Sequence, residues 1–181
     1  GTSSSTTSGT SSGTTSGTSS STQDIKCGGK ETPTEWAAAG YTRVHGYCIN
    51  CQPGSISSNN GEGPCVAKAG WQPNGEGGFE KCPIGHYKAS DGNVACEMCA
   101  NGTMQNNQGG ISCVQCETNS VSVDTRDTCK PCTEPNTEPN AEKTDCVCVT
   151  GTIPNTNGSG CVIDCPTGSI LHENESECIA V

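Results

Sequence analysis

The feature that most constrains this chain is the regular spacing of its cysteines. The 181 residues include 16 cysteines. From Cys48 onward they bound seven similar intervals, here called loops, each with 12 or 13 residues between two cysteines. The loops span Cys51–Cys65, Cys82–Cys96, Cys99–Cys113, Cys116–Cys129, Cys132–Cys146, Cys148–Cys161 and Cys165–Cys178. A period of about 17 residues is typical of a linear array whose units contact only their neighbours.

The seven loops also share residue types at fixed positions. The third residue after the first cysteine is Gly in five loops, Asn119 in a sixth and Pro135 in the seventh. Gly and Asn adopt positive φ angles at the lowest cost, so this position predicts a left-handed turn, and the Pro135 loop must turn differently. Two residues later comes an apolar residue, replaced by Thr137 in the Pro135 loop, and we expect it to pack each unit on the next. The glycines are Gly54, Gly85, Gly102, Gly151 and Gly168, and the apolar residues are Ile56, Tyr87, Met104, Val121, Ile153 and Ile170.

The composition indicates what holds such an array together. Val, Ile, Leu and Phe supply only 21 of the 181 residues, well below the ~20% that apolar burial alone requires. A disulfide that closes a loop of about 14 residues stabilises a fold by roughly 3 kcal/mol. The even number and high density of cysteines therefore predict a small disulfide-rich fold that forms in an oxidising compartment, so the protein is expected to be extracellular, either secreted or on the cell surface.

Turn signals complete the predicted fold class. Asn-Gly or Asp-Gly pairs precede the closing cysteine in several loops and predict a short β-hairpin in each. We expect an elongated linear array of about seven short β-hairpin loops with little helix, preceded by an extended Ser/Thr-rich tail. The longest gap, between Cys65 and Cys82, contains Trp71 and Phe79 and predicts a cap, a bend or a contact site. The turn pairs are Asn60-Gly61, Asp91-Gly92 and Asn157-Gly158.

The chain divides into three segments. Residues 1–22 contain 18 Ser or Thr and 4 Gly, which is typical of either an O-glycosylated stalk or a bare linker. Residues 23–47 are expected to form an N-terminal cap with a short helix over residues 35–39, and residues 48–181 the cysteine-rich repeat rod. The O-glycosylation candidates are Thr2, Ser3, Ser4, Ser5, Thr6, Thr7, Thr14, Thr15 and Thr18.

The stretch CPIGHYKASDGNVAC at residues 82–96, followed by EMCANGTM, resembles a known type of module. It is similar to the cysteine-rich units of ephrin-receptor-like, TNF-receptor-like and furin-like receptor ectodomains, which open with C-P-x-G-x-Y and are joined through C-x-x-C. Protist surface antigens and extracellular coat or flagellar-hair proteins reuse this pattern. The resemblance covers residues 48–178 and is specific for architecture rather than for function.

The resemblance implies that the first cysteine of each loop pairs with the second, which is also the choice with the shortest loops. Cys27 and Cys48 then form a further pair. Sixteen cysteines allow many other connectivities, so these stay open at this point. The implied pairs are Cys27–Cys48, Cys51–Cys65, Cys82–Cys96, Cys99–Cys113, Cys116–Cys129, Cys132–Cys146, Cys148–Cys161 and Cys165–Cys178.

Several motifs admit a chemical interpretation. The C-x-x-C motifs CINC, CEMC, CVQC and CKPC could bind zinc or act in thiol redox chemistry, but here they connect successive loops, so we interpret their cysteines as structural. Cys178 in the C-terminal CIAV fits a prenylation signal, yet it also completes the last loop. His45, His86 and His172 lie far apart without a neighbouring nucleophile motif, and no D-x-D-x-D-G calcium loop is present. We therefore expect no enzyme activity, metal or cofactor.

Two sets of residues are candidates for modification or contact. Three N-glycosylation sequons begin at Asn101, Asn157 and Asn174, and the last two lie four residues before a closing cysteine, so they occupy equivalent hairpin positions. The aromatic residues either pack over disulfides or serve as anchors for a protein partner. They are Trp36, Tyr41, Trp71 and Phe79.

Two functions from different classes follow. The first is a glycosylated structural subunit of an extracellular filament, surface coat or flagellar appendage, whose partners are neighbouring copies and covalent glycans. The alternative is a receptor or adhesion ectodomain that binds a protein ligand. The net charge of −10 argues against nucleic acid as a partner, and no apolar stretch approaches the ~20 residues of a membrane-spanning helix.

Overall fold

The structure is a computed structural model that describes residues 26–172 and 177–181. The predicted tail over residues 1–22, with its O-glycosylation candidates, and Asn174 lie outside the described residues. Within them the chain is nearly all strands and turns, with a single short helix.

The N-terminal part forms one small sheet covered by the helix. Helix α1 (Pro33–Ala38) begins two residues before the predicted helix, because Thr32 and Glu35 form a capping box in which each side chain accepts from the other's N–H. The sheet has the order β2-β1-β4-β3, and β1 and β4 are parallel at Arg43 and Glu62. Its strands are β1 (Tyr41–Val44), β2 (Tyr47–Asn50), β3 (Ser55–Asn59) and β4 (Glu62–Ala67). The first loop therefore shares a sheet with the predicted cap, across the expected boundary at residue 47.

In the described part of the chain, seven two-stranded antiparallel hairpins follow in a linear arrangement, which confirms the predicted fold class. The gap between Cys65 and Cys82 contains a hairpin of its own, and each later loop supplies one more. Within a hairpin of a loop, the second strand contains or directly follows the closing cysteine. The pairs are β5 (Trp71–Pro73) with β6 (Phe79–Lys81), β7 (His86–Tyr87) with β8 (Glu97–Met98), β9 (Thr103–Met104) with β10 (Val114–Gln115), β11 (Ser120–Ser122) with β12 (Cys129–Pro131), β13 (Thr137–Pro139) with β14 (Cys146–Cys148), β15 (Thr152–Pro154) with β16 (Cys161–Ile163), and β17 (Ser169–Leu171) with β18 (Cys178–Ala180).

Disulfides take the place of an apolar core. All 16 cysteines are paired, and each of the seven loops is closed by its own two cysteines. The eighth disulfide joins Cys27 to Cys48 at the start of the array. Six of the nine buried apolar residues among the described ones are half-cystines, namely Cys27, Cys82, Cys99, Cys116, Cys132 and Cys161. Sulfur therefore fills the interior that aliphatic side chains fill in a conventional domain.

One hydrogen bond recurs in all seven loops. The N–H of the residue three positions after the closing cysteine donates to the carbonyl oxygen of the turn residue, over 2.8 to 3.1 Å. The bonds run from Lys68 to Gly54, Cys99 to Gly85, Cys116 to Gly102, Cys132 to Asn119, Val149 to Asn136, Asp164 to Gly151 and Val181 to Gly168. The five turn glycines have φ angles from +74° to +88°, as predicted. The bond ties the exit of each loop to its entry.

Two loops differ from the predicted turn. Asn119 does not take a positive φ angle, and its side-chain amide instead donates to the carbonyl oxygen of Cys132 over 2.7 Å. In the next loop one extra residue precedes the turn, so Asn136, with φ of +53°, occupies the left-handed position. Pro135 stands just before it, where its fixed φ suits a type II turn. Consequently Glu138, rather than Thr137, takes the place of the repeated apolar residue.

The repeated apolar residue packs between units only in part of the array. Val121 is 2% exposed, but Ile153 and Ile170 are 44% and 54% exposed, so the packing prediction is wrong for the last two loops. Ile153 pairs across its hairpin with Val162, and Ile170 with Ile179. In these hairpins the central cross-strand pair stays on an open face instead of being covered by a neighbouring unit.

Candidate functional site

The junctions between successive loops are built from main-chain hydrogen bonds. Gly85 N–H donates to the carbonyl oxygen of Gln105 over 2.7 Å, and Gln105 N–H donates in turn to that of Arg126 over 2.9 Å. The series continues from Ser122 N–H to the Lys143 oxygen over 3.0 Å. These bonds need no particular side chain, so the same contact can repeat while the surface sequence varies.

The next junction reverses the direction of donation. Cys161 N–H, in the sixth loop, donates to the carbonyl oxygen of Pro135 in the fifth over 2.9 Å. The side-chain amide of Asn136 returns a bond to the carbonyl oxygen of Cys161 over 2.9 Å. Main-chain bonds therefore join consecutive loops from the second to the sixth.

Two turn glycines are needed for space as well as for conformation. A Cβ on Gly85 would lie 2.0 Å from the carbonyl oxygen of Thr125, and one on Gly54 would lie 2.1 Å from the Trp71 ring. Gly151 has the same kind of φ angle, +87°, but a Cβ there would meet nothing within 4 Å. The glycine at this position thus indicates a turn in each of these loops. In some of them it also indicates a close approach between two units.

Lys88 joins the second loop to the segment that leaves the first. Its side chain is buried, and its ammonium donates to the carbonyl oxygens of Ala67, over 3.3 Å, and Lys68, over 3.1 Å. Burial lowers the pKa of Lys88, and the nearby charge of Asp91 partly opposes this shift. The sequence offers no signal for this role, because a lysine in a polar loop is usually solvated.

Arg126 links the third loop to the fourth. Its guanidinium donates to the side-chain oxygen of Asn101 and to the carbonyl oxygen of Val123. Its own carbonyl oxygen accepts from Gln105, and its φ angle is +55°. The sequence does not predict this role for Arg126, since neither its position nor its neighbours form a recognisable motif.

The four predicted aromatic residues all take part in packing. Trp36 is 3% exposed, donates from its ring N–H to the carbonyl oxygen of Lys30 over 2.8 Å, and lies under Arg43 at 5.2 Å. The half-buried Tyr41 and Trp71 rings cover Gly28 and Gly54. Phe79 is half-buried opposite Pro73.

Tyr47 is a more exposed aromatic residue than any of these four, at 76%. The predicted contact residues do not include Tyr47, although the alternation of Tyr47 with Ile49 directly after His45-Gly46 is the signal of a hairpin strand. His45 and Gly46 form the two-residue turn between β1 and β2, with φ angles of +49° and +85°.

The two described sequons lie on the surface, and their side chains are already engaged. In the first, Asn101 accepts from Arg126, and the Thr103 hydroxyl donates to the carbonyl oxygen of Ala100 over 2.7 Å. In the second, the Asn157 side-chain oxygen accepts from Ser159 N–H over 2.8 Å, and the Ser159 hydroxyl donates to Glu134 over 2.7 Å. Each hydroxyl is thus tied to the folded turn or to the preceding loop.

The candidate chemical motifs do not converge. The two cysteines of each C-x-x-C motif belong to different disulfides, as Cys96 and Cys99 do. Among the described residues there is no cluster of three or more His, Cys, Asp or Glu side chains suited to a metal ion. His86 contacts the carbonyl oxygen of Ile84 at 3.2 Å and lies in a different hairpin from His45. Within residues 26–172 and 177–181 no helix has the length and apolar character needed to cross a bilayer.

Open grooves run between some hairpins. One, of about 630 Å³, lies between the fifth and sixth loops and is lined by Thr137, Val147, Pro154 and two disulfides, with Lys130, Glu134 and Asp145 as its charged residues. A second, of about 350 Å³, lies between the third and fourth loops and is lined by Met104, Val114 and Pro131 among others. Such grooves can receive side chains of a partner.

No model of a known protein family matches the chain, and no curated protein matches it.

Proposed function

We propose that this protein is a glycosylated structural subunit of an extracellular filament, surface coat or flagellar appendage, and that its copies assemble head to tail. The observation that supports this proposal is the continuous series of main-chain hydrogen bonds between consecutive loops, from Gly85 and Gln105 through Cys161. A row of units tied each to the next suits a molecule that spans distance, because a further unit lengthens the row without changing the earlier ones.

The covalent structure fits the same role. Each unit is closed by its own disulfide, so pulling on one unit does not unravel the next. Eight disulfides are typical of proteins made in an oxidising compartment, which supports a secreted or surface location. Glycans on Asn101 and Asn157 would add a hydrated layer to the exposed surfaces that carry them.

The experiment that tests this function is electron microscopy of the protein purified from its native source. Regular fibres or sheets with a subunit length that matches the array are the expected result. Monodisperse particles of a single chain would contradict assembly if they persist up to about 100 μM. A specific contact with a dissociation constant below that concentration is populated there. Intact-mass measurement before and after deglycosylation tests the glycan part separately, and an unmodified mass would remove it.

A receptor or adhesion ectodomain is the second candidate function. The observation that favours it is the set of exposed apolar side chains beside the grooves, such as Val114, which is 57% exposed, and Val147, which is 41% exposed. Exposed apolar residues beside a groove are common where a protein ligand binds. Under this function the purified native protein is monodisperse and forms a stoichiometric complex with one ligand, whereas a filament subunit associates with itself.

A further inference from the structure

Strand β2 is one of the two edge strands of the N-terminal sheet, and β3 is the other. Strand β2 pairs with β1 on one side, and among the described residues no strand pairs with the other side. Tyr47 and Ile49, two positions apart, point to the same face and are 76% and 43% exposed. A sheet edge with adjacent exposed apolar side chains is a surface that another chain can bind.

The backbone of β2 is also free to bond along this edge. The two-residue turn makes Val44 and Tyr47 a hydrogen-bonded pair, so the N–H and C=O groups of Ile49 also face β1. The bond from Cys51 N–H to the carbonyl oxygen of Gly40, over 2.8 Å, continues this alternation. The main-chain groups of Cys48 and Asn50 therefore point away from the sheet. We call Tyr47, Ile49 and this outer edge the head surface.

The groove between the fifth and sixth loops offers a matching site. Its volume of about 630 Å³ is within the ~300–1,000 Å³ range of pockets that hold compact ligands, which is enough for a tyrosine side chain and a neighbour. Val147 and Pro154 give it apolar walls, and Thr137 gives it a polar group for the phenol hydroxyl. We call this groove the tail groove.

Charge decides between the possible pairings of these surfaces in two copies. Around the tail groove, residues 130–172 and 177–181 contain two Lys and six acidic residues, whereas residues 26–67 contain three basic and three acidic residues. Contact between two tail grooves would bring two acidic regions together and is repulsive. Contact between a tail groove and a head surface avoids this repulsion. Electrostatics therefore favours the head-to-tail pairing over the tail-to-tail one.

We propose that the head surface of one copy docks in the tail groove of a second copy, with Tyr47 inserted beside Val147. This inference rests on the proposed function, because it names the contact through which the copies assemble. The pairing is heterologous, so each copy keeps one free surface for the next copy, and a rotation between copies that does not close gives a filament. Tyrosine suits the central position because it buries a large apolar area and keeps a polar tip.

The test uses the full secreted chain with its disulfides intact, studied by sedimentation velocity over a concentration series. Tyr47→Glu blocks the head surface, and Val147→Glu blocks the tail groove. Val94→Glu is the matched control, since Val94 is 62% exposed, lies in the second loop and belongs to neither surface. We expect each blocking variant to weaken self-association by about 30-fold or more, as for a hot-spot residue, and the control to associate as the unmodified chain does.

Mixing the two blocked variants gives the decisive result. Each retains one intact surface, so an equimolar mixture should form dimers and stop there. If the unmodified chain associates but the blocking variants associate equally well, this contact is wrong while the proposed function stands. The contact is equally wrong if both variants are monomeric and their mixture forms no dimer. An unmodified chain that stays monomeric throughout rejects the proposed function and this contact together.

Discussion

The ammonium of Lys88 lies 3.1 Å from the carbonyl oxygen of Lys68 and joins two units that no disulfide connects. It also donates to Ala67, so one buried side chain serves two main-chain oxygens at a single junction. Both oxygens have a second donor, because Gly92 N–H bonds to Ala67 and Trp71 N–H to Lys68. The junction is therefore reinforced by Lys88 rather than created by it.

Replacing this lysine should weaken the junction measurably. We expect Lys88→Ala to lower the free energy of unfolding by about 1–2 kcal/mol, because two hydrogen bonds from a charged group are lost while their acceptors stay paired. Urea unfolding without reductant measures the change, and hydrogen exchange at the Gly92 amide locates it. Lys130→Ala, at an exposed lysine, should stay within about 0.5 kcal/mol. Equal effects of the two substitutions would show that the buried ammonium contributes no more to the free energy of unfolding than an exposed one.

The stability contribution of Lys88 should also depend on pH. Burial lowers its pKa below the usual 10.5, so between the folded and unfolded pKa values the unfolded chain binds more protons. The free energy of unfolding then rises with pH through that window and levels off above the unfolded pKa. Lys88→Met keeps the side-chain length but lacks the titration. Urea titrations at a series of pH values measure the free energy of unfolding of both chains. That of the native chain should rise relative to that of the variant as the pH approaches about 10.5. Parallel curves would mean that the folded and unfolded chains bind this proton equally well.

Gly85 and Gly151 separate the two reasons for a turn glycine. Both have φ angles near +80°, at +79° and +87°, but only at Gly85 would a Cβ collide, with the Thr125 oxygen at 2.0 Å. Gly151→Ala should cost about 1–2 kcal/mol for the left-handed conformation alone. Gly85→Ala should cost about 1–3 kcal/mol more, because the junction must open. Thermal unfolding of the two variants side by side measures the difference, and its absence would show that the junction yields without cost.

The cysteine spacing predicts the array well because the information is local. A loop of 12 or 13 residues closed by its own cysteines leaves room for little except a hairpin, and glycine at the third position identifies the turn. The structure confirms the row of hairpins and the five left-handed glycines. Its disulfides join the same cysteines that the receptor-module resemblance implies. Contacts between residues close in sequence therefore determine this part of the fold.

The features that the sequence could not predict depend on contacts between distant residues or on a shift of a single residue. The parallel contact between β1 and β4 joins Arg43 to Glu62, and no local pattern announces such a pairing. The shift of the turn from Pro135 to Asn136 is a single-residue change, which an alignment on the first cysteine hides. The exposure of Ile153 and Ile170 depends on whether a neighbouring unit covers them, and the repeat pattern is the same in either case.

Removing one internal disulfide should have a local effect with limited spread. The Cys116–Cys129 bridge has a sequence separation of 13 residues, so the double Cys→Ser variant should lose roughly 3 kcal/mol in that unit. Hydrogen exchange should rise at Ser122, whose N–H bonds to Lys143, and at Gln105, which bonds to Arg126. The first loop should keep its protection, because the segment that leaves it bonds to Gly92 and Lys88 of the second loop rather than to the fourth. Loss of protection along the whole chain would show instead that the array unfolds as one cooperative unit.

The sequons should compete with folding, and Arg126 should decide the outcome at Asn101. In the folded chain the Asn101 side chain accepts from Arg126 and the Thr103 hydroxyl donates to Ala100, so folding engages both groups of the sequon. Arg126→Ala removes the first of these contacts and leaves Asn157, with its partners Ser159 and Glu134, untouched. We expect glycan occupancy at Asn101 to rise in the secreted variant.

Glycopeptide mass spectrometry measures occupancy at both asparagines in the same sample, so Asn157 is an internal control for expression and transferase level. A rise at Asn101 alone supports competition between the Arg126 contact and glycan transfer. Equal changes at both sites would trace the effect to general slowing of folding, and unchanged occupancy at Asn101 would show that glycan addition precedes the contact. Because Arg126 also joins the third loop to the fourth through its main-chain oxygen, the substitution leaves that junction bond in place and isolates the side chain.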